Sequence, residues 1–81
     1  MKKISSVKIT NDYKILVIFD EGEKKLCDIA PLLEKGDFRE LKEPSKFNTV
    51  KSIGWGVEWD NGLDLSADTL DVIGSPINGS L

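Results

Sequence analysis

The sequence predicts an α+β fold: a small antiparallel sheet, made of an N-terminal three-strand meander plus a C-terminal hairpin, with short helices packed on one face. Three observations predict it. Residues 4–28 hold three short β-compatible runs separated by turn signals, which read as a meander. Pro31, Gly36 and Pro44 then cut residues 28–48 into pieces too short to stand alone as helices. Finally, residues 53–65 hold both tryptophans, a second alternating run and an Asn61-Gly62 pair of the kind that turns hairpins.

Each element has a local reason. Ile4, Val7 and Ile9 mark a first strand ending at Thr10, and Asn11-Asp12 turns the chain. Tyr13 to Phe19 is the densest β-branched and aromatic run. Asp20-Glu21-Gly22 turns again, and Glu23 to Asp28 returns antiparallel. Pro31 fits the first turn of a helix, where its missing N–H is not needed, and Gly36 can end that helix. Asp28 to Asn48 reads as two or three short helical pieces that lay Leu32, Leu33, Phe38, Leu41 and Phe47 on the sheet.

Thr49 to Asp60 reads as strand, with Ile53, Trp55, Val57 and Trp59 on one side. A two-residue Asn61-Gly62 loop sets Trp59 opposite Asp64 and Glu58 opposite Leu65. Ser66 caps a short helix through Leu70, with Asp68 against its dipole. Residues 1–73 form one domain, and residues 74–81, without periodicity, read as a flexible C-terminal tail.

Composition excludes several functions. At 81 residues one small core is the limit, burying about 60% of the surface the unfolded chain exposes. A net charge of −3 disfavours nucleic acid as a partner, and Lys2, Lys3, Lys8, Lys24 and Lys25 read as solvated strand faces. A single cysteine, Cys27, allows no internal disulfide and fits a reducing, cytoplasmic setting. No apolar run is long enough for a signal peptide or a membrane span.

The order of residues resembles a known family. Phe19, Asp20, Gly22 and Asp28 lead to Leu32-Leu33, Gly36-x-Phe38 and Leu41. Phe47 and Val50 then precede Trp59-x-Asn-Gly-x-Asp-Leu65 and Asp68-Thr-Leu70. This pattern is similar to domain of unknown function 2442, a set of small bacterial proteins, over residues 4–72. Two positions depart from it: Ala67 stands in place of a proline, and Asp71 in place of an aromatic. The resemblance implies an α+β fold on a small antiparallel sheet, and it brings no established activity. It also implies an interaction role, since members resemble proteins found beside small toxin–antitoxin-type partners. Some members carry an added helix-turn-helix. No such segment is legible in these residues, so a transcriptional regulator loses its main support.

The chemistry-bearing residues are few. Without histidine there is no imidazole base, no Ser-His-Asp or Cys-His arrangement and no His ligand for zinc. Cys27 reads as a partly buried strand residue rather than a nucleophile. Asp60, Asp64, Asp68 and Asp71 offer oxygen ligands, but their spacing is not that of a calcium loop. Gly54-x-Gly56 lacks the rest of a phosphate loop; a bulge or strong twist accounts for it better than a bare face for a partner. No cofactor is expected, and the chain reads as a non-enzyme.

Tyr13, Ile15, Val17 and Phe19 share one strand face, while Leu16 and Ile18 occupy the other. A solvated face should be polar, so the second face calls for a cover: the last helix, a curled sheet or another subunit. The candidate interaction surface is therefore Leu16, Ile18, Trp55, Trp59 and Asp64. The favoured role for Asp64 is acceptor for the Trp59 indole N–H, ahead of a contact to a partner. The leading function is a protein-interaction module, a homodimer or the partner of a small toxin-like protein. The alternative is a small-ligand or divalent-metal site using Asp64 and the Trp55/Trp59 face.

Overall fold

A computed structural model describes residues 2–77. The elements run β1 (Ile4–Ile9), β2 (Lys14–Phe19), β3 (Lys24–Asp28), α1 (Pro44–Phe47), β4 (Lys51–Ser52), β5 (Gly56–Glu58), β6 (Asp64–Ser66), α2 (Ala67–Ile73) and β7 (Gly74–Pro76). Two 3₁₀ segments, Ala30–Glu34 and Gly36–Lys42, lie between β3 and α1. The α+β class is as the sequence predicts. The strands, however, divide into two antiparallel sheets, β1-β2-β3-β7 and β4-β5-β6.

The three-strand meander forms as predicted. Val7 pairs Val17 and Ile9 pairs Ile15, while Ile15 pairs Cys27 across β3. The uneven spacing of Ile4, Val7 and Ile9 has a local cause. A register shift between Ile4 and Ser6 makes Ser5 an extra residue, so Ile4 faces Phe19 and stays on the core side with Val7. The β2–β3 loop closes with Gly22 N–H on the Phe19 carbonyl and Phe19 N–H on the Glu23 carbonyl, Gly22 lying at φ 94°.

The chain after α2 corrects the tail reading. Gly74–Pro76 is a strand: Ser75 pairs Leu26 and Gly74 pairs Cys27. Its N–H groups are nearly all spoken for, since Gly74 N–H caps α2 on the Leu70 carbonyl and Pro76 has none. That edge offers no donor to a further strand at those two positions. Residues 78–81 of the same reading lie outside the described residues.

The middle segment is three short helical pieces, each placing an apolar side chain inward. Leu33, Leu41 and Phe47 are buried, and Leu32 and Phe38 pack against the same core. That core joins both sheets and both helices through Ile15, Val17, Phe19, Cys27, Phe47, Val57, Trp59, Ala67 and Leu70.

Two expectations for residues 49–65 are corrected. Thr49 to Asp60 is not one strand: Ile53 N–H bonds the Gly56 carbonyl and Gly54 sits at φ 86°, so the chain turns between β4 and β5. Trp55 falls in that turn and is 49% exposed, while Val57 and Trp59 are buried. The second correction is register. Gly62 N–H bonds the Trp59 carbonyl and Trp59 N–H bonds the Leu63 carbonyl, with Gly62 at φ 88°. This is a three-residue loop ending in a left-handed glycine, the geometry of the β2–β3 turn. It moves the pairing by one, to Glu58 with Asp64 and Val57 with Leu65. Gly56 is required for another reason: a Cβ there would lie 2.2 Å from the Leu65 carbonyl oxygen. The glycine serves close packing of β5 on β6, not a bulge or a partner's approach.

The Ser66 cap forms, its hydroxyl accepting from Thr69 N–H at 3.1 Å, and α2 continues to Ile73. Among the described residues no helix is long and apolar enough to cross a membrane.

Candidate functional site

The five residues of the sequence-derived surface do not come together. Trp59 is 1% exposed, and its indole N–H donates to the Phe47 carbonyl at 3.0 Å. The expected Trp59–Asp64 bond is thus replaced, because the register shift turns Asp64 away. Asp64 is exposed, and its carboxylate enters no hydrogen bond or ion pair among the described residues. Trp55 stands on the β4–β5 turn, its carbonyl accepting from Ala67 N–H at 2.7 Å. Leu16 and Ile18 lie on the four-stranded sheet. Among the described residues no three His, Cys, Asp or Glu side chains converge as a metal-ligand group. A surface groove of about 330 Å³ is lined by Glu40, Ser45, Lys46, Thr49, Asp60 and Asn61, without Asp64 or either indole.

What the register does assemble is the outer face of β1-β2-β3-β7. Residues directly opposite across an antiparallel ladder point to the same side. One outer row is therefore Lys8, Leu16, Leu26 and Ser75, and the next is Ser6, Ile18 and Lys24. Lys14 and Asp28 complete the face. Leu16, Ile18 and Leu26 are half-buried and stand outside the core cluster.

The inner rows explain why no helix or strand among the described residues covers this face. Cys27 Sγ donates to the Leu70 carbonyl, and Lys25 Nζ to the Asp71 carbonyl at 2.8 Å, so α2 sits on the inner side. Trp59 and Val57 of the second sheet join that same core. Both intramolecular covers that the alternation allowed, the last helix and a curled sheet, lie on the inner face among the described residues.

Charge separates in the same way. On the inner side Asp71 Oδ1 lies 2.6 Å from Lys25 Nζ and 3.2 Å from Lys2 Nζ. That oxygen makes no well-directed hydrogen bond, and the two ammonium groups compensate it instead. Lys25, then Lys2, hold the Asp71 carboxyl below the usual carboxylate range. Glu23 and Glu21 raise Lys2 above an ordinary lysine. On the outer face Lys8, Lys14 and Lys24 make no ion pair among the described residues. Cys27 is fully buried and its thiol is pushed up to about 11, chiefly by burial, the opposite of an activated nucleophile.

Sequence reasoning placed neither Leu26 and Ser75 nor the lysines Lys8, Lys14 and Lys24 beside Leu16 and Ile18. Alternation along β2 marks Leu16 and Ile18 directly, whereas assigning Leu26 needs the three-residue loop that fixes the β2–β3 register.

The family described as Protein of unknown function (DUF2442) matches residues 4–71. No curated protein and no solved structure matches the chain.

Proposed function

The chain belongs to that family, whose description assigns no activity, and from this premise we propose a non-enzymatic protein-interaction module that docks a protein on the outer face of its four-stranded sheet. The observation that carries it is the trio Leu16, Ile18 and Leu26, apolar, adjacent and outside the core. A sheet face exposed to water usually alternates to polar residues, and a contiguous apolar patch on one marks association. The scattered positions of Trp55, Trp59 and Asp64 favour this reading over a ligand or metal site. The family resemblance adds a small toxin-like protein as the kind of partner. A cytoplasmic, reducing setting accords with one deeply buried thiol.

The test is capture from a native lysate by the wild-type chain, by Leu16→Glu/Ile18→Glu and by Val72→Glu. Val72 is 83% exposed and lies on α2, so it controls for loss of any surface apolar group. Partners captured by wild type and Val72→Glu but lost from the Leu16/Ile18 variant support the proposal, provided its melting curve stays cooperative. Identical capture by all three proteins overturns it. Light scattering over a concentration series separates a second copy from a different partner.

A further inference from the structure

We infer that the occupant of this face is an acidic amphipathic helix of a partner protein, not a second copy of the chain and not a nucleic acid. The inference rests on the docking reading above and adds the partner's chemistry.

Charge is its first support. The chain carries 14 acidic against 11 basic residues, yet the outer rows hold Lys8, Lys14 and Lys24 against the single acid Asp28. Asp28 is engaged by the chain itself, its carboxylate accepting from Ala30 N–H at 3.0 Å. The face therefore runs against the sign of the molecule. Lysines that serve the fold are paired, as Lys2 and Lys25 are with Asp71. The three outer lysines have no carboxylate within ion-pair distance among the described residues. Two copies meeting face to face would oppose lysine to lysine, which costs association energy, whereas a carboxylate-flanked partner removes that cost.

Arrangement is the second support. Leu16 and Leu26 are neighbours across β2–β3, Ile18 is two positions along, and the lysines stand around them: Lys8 beside Leu16, Lys24 beside Ile18, and Lys14 two positions before Leu16. An apolar centre with a charged rim matches a helix carrying one apolar stripe flanked by Asp and Glu. The row from Lys8 to Ser75 crosses four strands, about 14 Å at the usual inter-strand spacing. A helix of about ten residues spans it. A phosphate backbone would meet the lysines but leave the apolar trio uncovered.

The experiment uses the full chain, isotope-labelled, and two synthetic 14-residue helical peptides with the same leucine stripe, one flanked by Glu and one by Lys. The acidic peptide is expected to perturb the amides of β2 and β3 and to bind at least tenfold more tightly than the basic one. Raising salt should weaken it. In Lys8→Glu/Lys14→Glu/Lys24→Glu the preference should reverse. Among the described residues these side chains make no ion pair, so the variant should fold, and its amide spectrum checks this. Equal binding of the two peptides, no binding of the acidic one, or perturbation elsewhere overturns the inference. So does concentration-dependent dimerisation that Leu16→Glu abolishes, or tighter binding of a short DNA duplex than of the acidic peptide. If lysate capture is lost on Leu16→Glu/Ile18→Glu but indifferent to the lysine reversals, the docking face stands and the acidic partner falls.

Discussion

The indole of Trp59 donates its N–H to the main-chain carbonyl of Phe47 at 3.0 Å, tying the second sheet to the end of α1. The two rings also lie 6.1 Å apart, so the pair joins a polar contact to aromatic packing. Trp59→Phe leaves the Phe47 carbonyl without this donor in a buried setting. The carbonyl keeps only the longer bond from Val50 N–H at 3.4 Å, so the expected loss is about 0.5–1.5 kcal/mol from the hydrogen bond, with a further cost for the vacated volume. Asp64→Asn should change stability by less than about 0.5 kcal/mol, as for surface positions generally. Urea unfolding of both variants checks this; a large effect at Asp64 would restore its pairing with the indole.

Gly54 and Gly56 are two residues apart, and their substitution should differ sharply. Gly54→Ala meets no atom within 4 Å but keeps φ 86°, a strain of about 1–2 kcal/mol. Gly56→Ala drives a Cβ to 2.2 Å from the Leu65 oxygen, a rigid main-chain atom. It should cost more than about 3 kcal/mol or abolish folding. Similar urea midpoints for the two variants would refute the packing role of Gly56.

Asp12 and Tyr13 both have positive φ, 59° and 62°. Tyr13 is held there by its edge-on contact with Phe47 at 5.2 Å, by its hydroxyl bond to the Lys42 carbonyl, and by Ile29 N–H on its own carbonyl. Asp12 is exposed, and its side chain makes no bond of that kind among the described residues. Asp12→Gly should stabilise by up to about 1 kcal/mol, left-handed strain outweighing glycine's added chain entropy. Tyr13→Phe should destabilise by about 1 kcal/mol through the lost hydroxyl bond. Thermal melts of the two variants should move in opposite directions.

Cys27 should be silent to thiol reagents at pH 8 until the chain unfolds, so its labelling rate should follow the unfolded fraction in urea. The same burial sets an alkaline limit. The folded thiol holds its proton to about 11, while an unfolded one releases it near its ordinary value. Stability is full below that ordinary value and falls as pH rises toward about 11. Cys27→Ala should flatten this decline; an unchanged pH profile would contradict it.

Asp71 acts at the other end of the scale. Its carboxyl is depressed by Lys25 and Lys2, so its stabilisation is present above the ordinary carboxylate value and is lost as pH falls through the lower folded value. Asp71→Asn should lower the melting temperature at pH 7 and lessen the drop on acidification. Equal melting temperatures at pH 7 would show that the Lys2–Asp71–Lys25 contacts contribute nothing.

Local chemistry determined much of this protein. The period-two pattern of β2, the Pro31, Gly36 and Pro44 breaks, and the Ser66 cap depend on residues a few positions apart, and each is legible in order. So was half of the candidate site, because Leu16 and Ile18 alternate with Ile15, Val17 and Phe19. Tertiary structure decided the rest. Whether Asn61-Gly62 makes a two- or three-residue loop depends on which register buries Trp59 beneath Phe47, a contact made across a turn of chain. Gly74–Pro76 has little strand propensity of its own and is held by Leu26 and the end of α2. Leu26, Lys8 and Lys24 share a face with Leu16 and Ile18 only because two ladders align them. Periodicity gives the side of a strand; the pairing of distant strands gives the neighbours, and the outer face is made of neighbours.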